Sequence, residues 1–186
     1  SDYAQDIKID KVGNVLIVGS FYETVDFDPG QGAFNLTSVD FSDAFFLKLS
    51  SSGSFIWAKS IGGAGDDEAK ALVMDGNNNL ILIGDFQEMV DFNPGSSTYN
   101  LSAKGFYDLF ILKLDAGGNF TWAKRVGAML KGEKSTTAAS IASDASGNLY
   151  LTGKFEDEVD FDPGSAMHLE KSYGSFDIFV LKLSSN

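Results

Sequence analysis

Cysteine is absent from this 186-residue chain. That excludes disulfide frameworks and thiolate metal sites. It does not settle the compartment, because large β-repeat proteins can be exported without disulfides. Histidine occurs once, at His168. It lies outside any HExxH or GxSxG context and is expected to have no counterpart elsewhere in the chain, so catalysis through it is not expected. No apolar run approaches the roughly 18 residues of a membrane-spanning segment. Positive charge is scarce: 14 Lys and Arg stand against 26 Asp and Glu, a net charge of −12. Such a chain repels phosphate backbones and anionic lipid, so neither nucleic acid nor a membrane surface is an expected partner. Ser1 opens directly onto a predicted strand without a leader-like segment, so an exported form is expected to be a mature chain or a fragment.

What is present points to β structure. Hydrophobic residues make up 44% and charged residues 22%, a globular balance. Twenty Gly and 16 Phe accompany short runs of Val, Ile and Leu, the composition of a turn-rich β protein. The chain also repeats itself. VDFDPG begins at Val25, VDFNPG at Val90 and VDFDPG at Val159, and all three prolines (Pro29, Pro94, Pro163) lie in these motifs. Asp10, Asp75 and Asp144 precede the motif in constant register, as do Gly19, Gly84 and Gly153. Asp43, Asp108 and Asp177 follow it, and Trp57 and Trp122 come after the first two of these. The second period is longer, and its extra residues fall in a predicted loop, VGAMLKGEKSTT, beginning at Val126.

The second copy displays the unit most clearly. AKALVMD (69–75), a run ending at Phe86, DLFILKL (108–114) and NFTWAKRV (119–126) read as four strands separated by Gly-, Asn- and Asp-rich turns. In the third strand of the first copy, Phe45, Leu47 and Leu49 alternate with Phe46 and Lys48, so both faces are apolar. A sheet with one wet face would alternate more cleanly. The expected fold is therefore all-β, built of four-stranded antiparallel β-propeller blades, with a solenoid or stacked small sandwiches as the alternative. Residues 1–65 form the first blade, 66–134 the second and 135–186 a third without its fourth strand, as part of a larger propeller. The long second-to-third connections and the inter-blade links share one edge, where binding is expected.

The combination DxxGN, GxF, VDFDPG, DxFxxKL and WAK resembles the bacterial β-propeller repeats known as SBBP repeats. It is carried by Asp10, Gly13, Asn14, Gly19, Phe21, Val25 to Gly30, Asp43, Phe45, Lys48, Leu49 and Trp57 to Lys59, followed by IGGAGDD from Ile61. The resemblance spans essentially the whole chain. It implies an exported protein at the bacterial cell surface or outside the cell, of the kind found in Bacteroidetes-like bacteria, where such propellers accompany adhesive modules and a type IX secretion sorting domain. No catalytic residue follows from it. The implied function is a non-catalytic module for adhesion, binding or scaffolding. Its partners would be further blades of the same protein, other chains, or a surface protein or polysaccharide.

Several residues remain candidates for chemistry. Asp26 and Asp28, Asp91 and Asn93, and Asp160 and Asp162 place oxygen side chains two apart, a pattern that suits calcium. The same residues are strong turn formers, with Asp capping, Pro fixing φ and Gly accepting positive φ. Asp43, Asp108 and Asp177 are expected to lock the blade corner by binding loop amides, or to join the calcium site. Lys48, Lys113 and Lys182 are expected to pair with an Asp or to lie along a blade face. Trp57 and Trp122 suit packing between blades. IGGAGDD lacks the Lys and the following helix of a phosphate loop. Acid pairs could support a propeller-type glycosidase or lyase, the rival reading, but copies of one acid in every blade mark structure or repeated binding.

Overall fold

In the first two units, seven-residue runs rich in Val, Ile, Leu and Phe, such as VLIVGSF, LILIGDF and DLFILKL, fold as strands. The computed structural model describes residues 1–184, and it is all-β and antiparallel. The first unit contains β1 (Tyr3–Ile9), β2 (Val15–Phe21), β3 (Thr24–Asp26), β4 (Asn35–Thr37), β5 (Asp43–Leu49) and β6 (Phe55–Ile61). The second contains β7 (Glu68–Met74), β8 (Leu80–Phe86), β9 (Met89–Asp91), β10 (Asn100–Ser102), β11 (Asp108–Leu114) and β12 (Phe120–Ala128). The third contains β13 (Thr136–Ser143), β14 (Leu149–Asp160) and β15 (Leu169–Leu183). The sheets run β1-β2-β5-β6, then β7-β8-β11-β12, then β13-β14-β15.

Two features of the long connection depart from the sequence reading. It contains a short ribbon, β3 with β4 and β9 with β10, which in the third unit is the continuous extension of β14 and β15. The fourth strand of the second unit also runs on through Val126–Ala128, residues expected in the inserted loop. They remain extended because Gly127 and Ala128 pair with Asp160 and Val159 of the third unit.

The recurring glycines have a steric cause. The first strand of every unit carries a bulge, at Ala4/Asp6, Ala69/Ala71 and Ala138/Ser140. Opposite it, a Cβ on Gly19, Gly84 or Gly153 would strike the carbonyl of Tyr3, Glu68 or Thr137 and the ring of Phe45, Phe110 or Phe179. Only glycine allows that approach.

The units pack face to face. Leu16, Val18 and Phe46 of the first unit share a core with Leu72, Leu82 and Phe110 of the second. Ile83, Leu109 and Ile111 on the other side of the second unit share another with Leu149, Leu151 and Phe179 of the third. This is why β11 is apolar on both faces. Each such side chain, fully buried, contributes about 1.5–3 kcal/mol of transfer free energy. The motif phenylalanines anchor the long connections, Phe92 and Phe161 to these two cores and Phe27 to a third cluster, with Phe21, Phe45 and Ala58 of the first unit. Phe27 lies 5.3 Å from Phe21 and 4.9 Å from Phe45, and Phe92 and Phe161 repeat the arrangement against Phe86 and Phe110 and against Phe155 and Phe179.

Candidate functional site

The VDFDPG loops are built by their own carboxylates. Asp26 Oδ1 accepts from the amides of Asp28 (3.0 Å) and Phe34 (2.8 Å), and Asp28 Oδ1 accepts from the Gly30 amide (2.8 Å). The Phe34 and Asp28 amides hold the Asp26 carboxyl below the usual range. Asp91 and Asn93 repeat the pattern with Tyr99 and Gly95, and Asp160 and Asp162 with His168 and Gly164. Asn93 serves as well as Asp because the position needs an acceptor, not a charge. Among the described residues no group of three or more His, Asp or Glu side chains could hold a metal ion.

The same positions overturn the expectation that His168 has no counterpart. Its amide binds Asp160 as the amides of Phe34 and Tyr99 bind Asp26 and Asp91, so all three residues occupy one site in the repeat. Phe34 and Tyr99 stack on Phe55 and Phe120 of the fourth strands at 4.8 and 4.9 Å. The equivalence was hidden because histidine shares only the aromatic ring, and the loops between carry unrelated residues.

The hairpin after each first strand is also closed by an acid. Asp10 accepts from the amides of Val12 and Asn14 and from the Asn14 side chain, and pairs with buried Lys48 at 3.1 Å. Burial pushes its carboxyl up, but those donors together bring it down to about 2. Asp75 does the same with Asn77, Asn79 and Lys113, also reaching about 2. In the third unit the Lys182 ammonium lies 5.4 Å from the centre of the Tyr150 ring, whose hydroxyl donates to Asp144. Lysine thus pairs directly with the hairpin Asp in two units and meets it through a tyrosine in the third.

The corner acids bind loop amides in every unit. Asp43 accepts from Val39 at 3.2 Å, Asp108 from Lys104 at 2.8 Å and Asp177 from Tyr173 at 2.9 Å. Asp43 and Asp108 are buried against the glycines that follow Ile61 and Val126, for a Cβ on Gly62 or Gly127 would run into the carboxylate. Their electrostatics differ. Asp108 also accepts from the Ala128 amide at 3.0 Å and forms an ion pair with Arg125. Asp43 has Ser60 in the equivalent place and no ion pair among the described residues. Burial pushes Asp43 up to about 7, against the pull of the Val39 amide.

A second buried acid, which the sequence reading passed over, adjoins Asp43. Asp67, at the end of IGGAGDD, accepts from the Gly63 amide at 2.7 Å and the Gln87 amide at 3.2 Å, and its own amide donates to the Ser42 carbonyl. The glycine-rich loop therefore wraps its own aspartate and presents no phosphate cradle. Burial pushes Asp67 up to about 8, and the charges of Asp43 and Asp66 add to the rise. At the next junction Thr136 stands in its place: its amide donates to Tyr107, and its buried hydroxyl has no partner among the described residues. Asp85, buried on β8 where the other units carry Ser20 and Lys154, accepts from the Ala138 amide of the third unit at 2.6 Å. Burial raises it to about 7. Repeat reasoning missed these acids because neither recurs. Asp67 was legible only as part of IGGAGDD.

The tryptophans pack between units, as expected. Trp57 lies against the core shared by the first two units, with its ring over Gly118 of the second. Trp122 lines a cavity of about 440 Å³ with Asp75, Ile81, Lys113 and Leu149. A second hollow, of about 370 Å³, opens between the β9–β10 ribbon and the inserted loop and is lined by Glu88, Met89, Ser102, Phe106 and Lys131. Asp43 and Asp67 line none of the described cavities. Among the described residues no helix is long and apolar enough to cross a membrane.

No family model matches the chain. It is similar to an uncharacterized WD repeat-containing protein of Acanthamoeba polyphaga mimivirus, 28% identical over 125 residues, which is 60% of this chain and 9% of that protein. It is also similar to the regulatory protein FlaEY of Caulobacter vibrioides, 24% identical over 124 residues, 67% of this chain and 12% of that protein. The chain thus spans about a tenth of the length of the curated relatives it matches.

Proposed function

We propose that the repeated units are β-propeller blades and that the chain is a non-catalytic module of the SBBP type, carried by an exported or surface-attached bacterial protein for adhesion, binding or scaffolding. One observation carries this reading. The acids that recur in every unit are engaged by amides of their own loops and hairpins, so they build the blade and leave its outer surface to recognition. The WD-repeat description of one relative agrees with a propeller. The hollow beside Phe106 and Met89, on the edge that gathers the long loops, offers polar and apolar contacts to a protein or polysaccharide.

The rival, a propeller-type glycosidase or lyase, draws on Asp43 and Asp67, two adjoining carboxyls with raised pKa at one junction only. Asp67 is fully buried, however, and lines none of the described cavities. Screening the chain against surface polysaccharides and proteins, with turnover followed in parallel, tests the choice. Saturable binding without turnover is expected. Turnover abolished by a single Asp→Ala change would establish the rival. Calcium at the VDFDPG loops is expected to leave the melting temperature unchanged, since the Oδ1 acceptors are already engaged, and a rise with calcium reversed by chelator would restore that role.

A further inference from the structure

The middle unit departs from its neighbours on the loop edge, and its departures converge on one hollow. Thr24 pairs with Thr37 across the first ribbon and Glu158 with Lys171 across the third, followed by Ser38 and Ser172. In the second ribbon Met89 pairs with Ser102, and Ala103 and Lys104 follow, Lys104 standing where the other units carry Val39 and Tyr173. The polar side chains at the Thr24 and Ser38 positions thus give way to Met89 and Ala103. Both line the hollow of about 370 Å³ that the inserted loop walls with Lys131 and Gly132. It belongs to the unit whose junctions with the first and third units are both formed.

The wall is held on two sides. The Gly132 amide donates to the Lys104 carbonyl at 3.0 Å and the Phe106 amide to the Lys134 carbonyl at 2.7 Å, while the Glu156 amide of the third unit donates to the Ser135 carbonyl at 3.1 Å. Within this frame Met89 is 58% and Phe106 55% exposed, and the Tyr107 ring braces Phe106 edge-on at 5.1 Å. Lys104 and Lys131 are exposed and form no ion pair among the described residues, in a chain of net charge −12. The Gln87 side-chain oxygen accepts from the Asp66 amide at 2.9 Å, which leaves its NH2 group to donate beside the Glu88 carboxylate.

We infer that this hollow binds an extended acidic polypeptide segment, which seats an apolar side chain on Met89, Ala103 and Phe106 and pairs a neighbouring carboxylate with Lys131 and Lys104. The inference rests on the reading of the chain as a binding module and names its partner. Two unpaired lysines favour an anionic occupant. Met89 and Ala103 favour a polypeptide over a polysaccharide, because a thioether adapts to apolar side chains, whereas sugar hydroxyls would be better served by the Thr and Ser of the first unit. Gln87 and Glu88, donor beside acceptor, match the carbonyl and amide of a peptide group.

Arrays of short synthetic peptides test this, each with one Leu, Met or Phe beside Asp or Glu, against controls with Lys for the acid or Ser for the apolar residue. The labelled chain is expected to bind the acidic-apolar set alone, and the tightest peptide is then titrated by fluorescence anisotropy. Lys131→Glu should weaken its binding about tenfold or more. Met89→Thr with Ala103→Ser, which installs the residues of the first unit, should do the same. Thermal melts check the fold of both, and Lys131→Glu, a change at an exposed loop side chain, decides the matter if the double change unfolds. No binding by the acidic-apolar set, equal binding of the Lys-flanked controls, or an affinity unmoved by Lys131→Glu would each overturn the inference. Polygalacturonate bound in place of the peptides and lost in Lys131→Glu would overturn it too, by assigning the hollow to a polysaccharide. If the peptides fail while the screens above find another saturable ligand, this inference falls and the binding-module reading stands; no saturable ligand in either would remove both.

Discussion

The junction between the first and second units and the junction between the second and third solve one problem in two ways. Both bury a corner aspartate at the start of the third strand, against a glycine that leaves room for it. At the later junction Arg125 neutralises Asp108, and Thr136 completes the pocket. At the earlier one Ser60 offers no charge, and a second carboxyl, Asp67, takes the place of the threonine. Two substitutions therefore separate the sites, and they act together. With a guanidinium the buried acid has an ion-pair partner. Without one, the two acids hold a proton well above the ordinary carboxylate range. A buried charge must be paired or neutralised, and a repeat protein can choose differently at each copy.

Breaking the later arrangement should have the largest effect. Arg125→Ala leaves Asp108 buried without its cation, and we expect a loss of about 2–4 kcal/mol by urea unfolding at neutral pH. A cost below about 0.5 kcal/mol would show that the pair is not what holds that corner. The earlier junction should respond to pH. Asp43 and Asp67 are raised to about 7 and about 8, so their contribution is full below the ordinary carboxylate range and is lost as pH rises through those values. The melting temperature should fall by roughly 5 °C between about pH 5 and pH 9. Asp67→Asn should flatten part of that slope, leaving the parts due to Asp43 and Asp85, and an unaltered slope in the variant would assign the dependence elsewhere.

Smaller effects sharpen the comparison. The double change Ser60→Arg with Asp67→Thr copies the later junction into the earlier one. It should raise stability at pH 9 by about 1 kcal/mol and leave it little changed at pH 5, as read by paired thermal melts. Asn93→Asp should be nearly silent, within about 0.5 kcal/mol, because the position uses only its Oδ1 acceptor.

Much of this architecture is legible in the sequence, because the features that recur are local. DLFILKL matches β11 residue for residue, and the hairpin Asp–Asn pairs follow from turn chemistry. The corner role of Asp43, Asp108 and Asp177 and the Lys48 and Lys113 ion pairs were also within reach. What the sequence hides is contact between units. Asp67 and Thr136 align only once the strands fix the register across a loop of changed length, and Asp85 aligns with a serine and a lysine. The extension of β12 through Ala128 depends on pairing with residues 159 and 160, which no local pattern announces. His168 fell out of the pattern because its role in the repeat belongs to its backbone amide, which any side chain can accompany.

The central contrast reduces to whether Asp43 and Asp67 keep protons that an ordinary aspartate has lost. Carbon-detected NMR titration of the side-chain carboxyls, with Asp67→Asn and Asp43→Asn for assignment, measures it directly. The pair is expected to titrate near the values of about 7 and about 8 that burial imposes, with the charges of Asp43 and Asp66 adding to the rise at Asp67. Two carboxyls already ionised below about pH 5, like exposed aspartates, would contradict the account of the first junction.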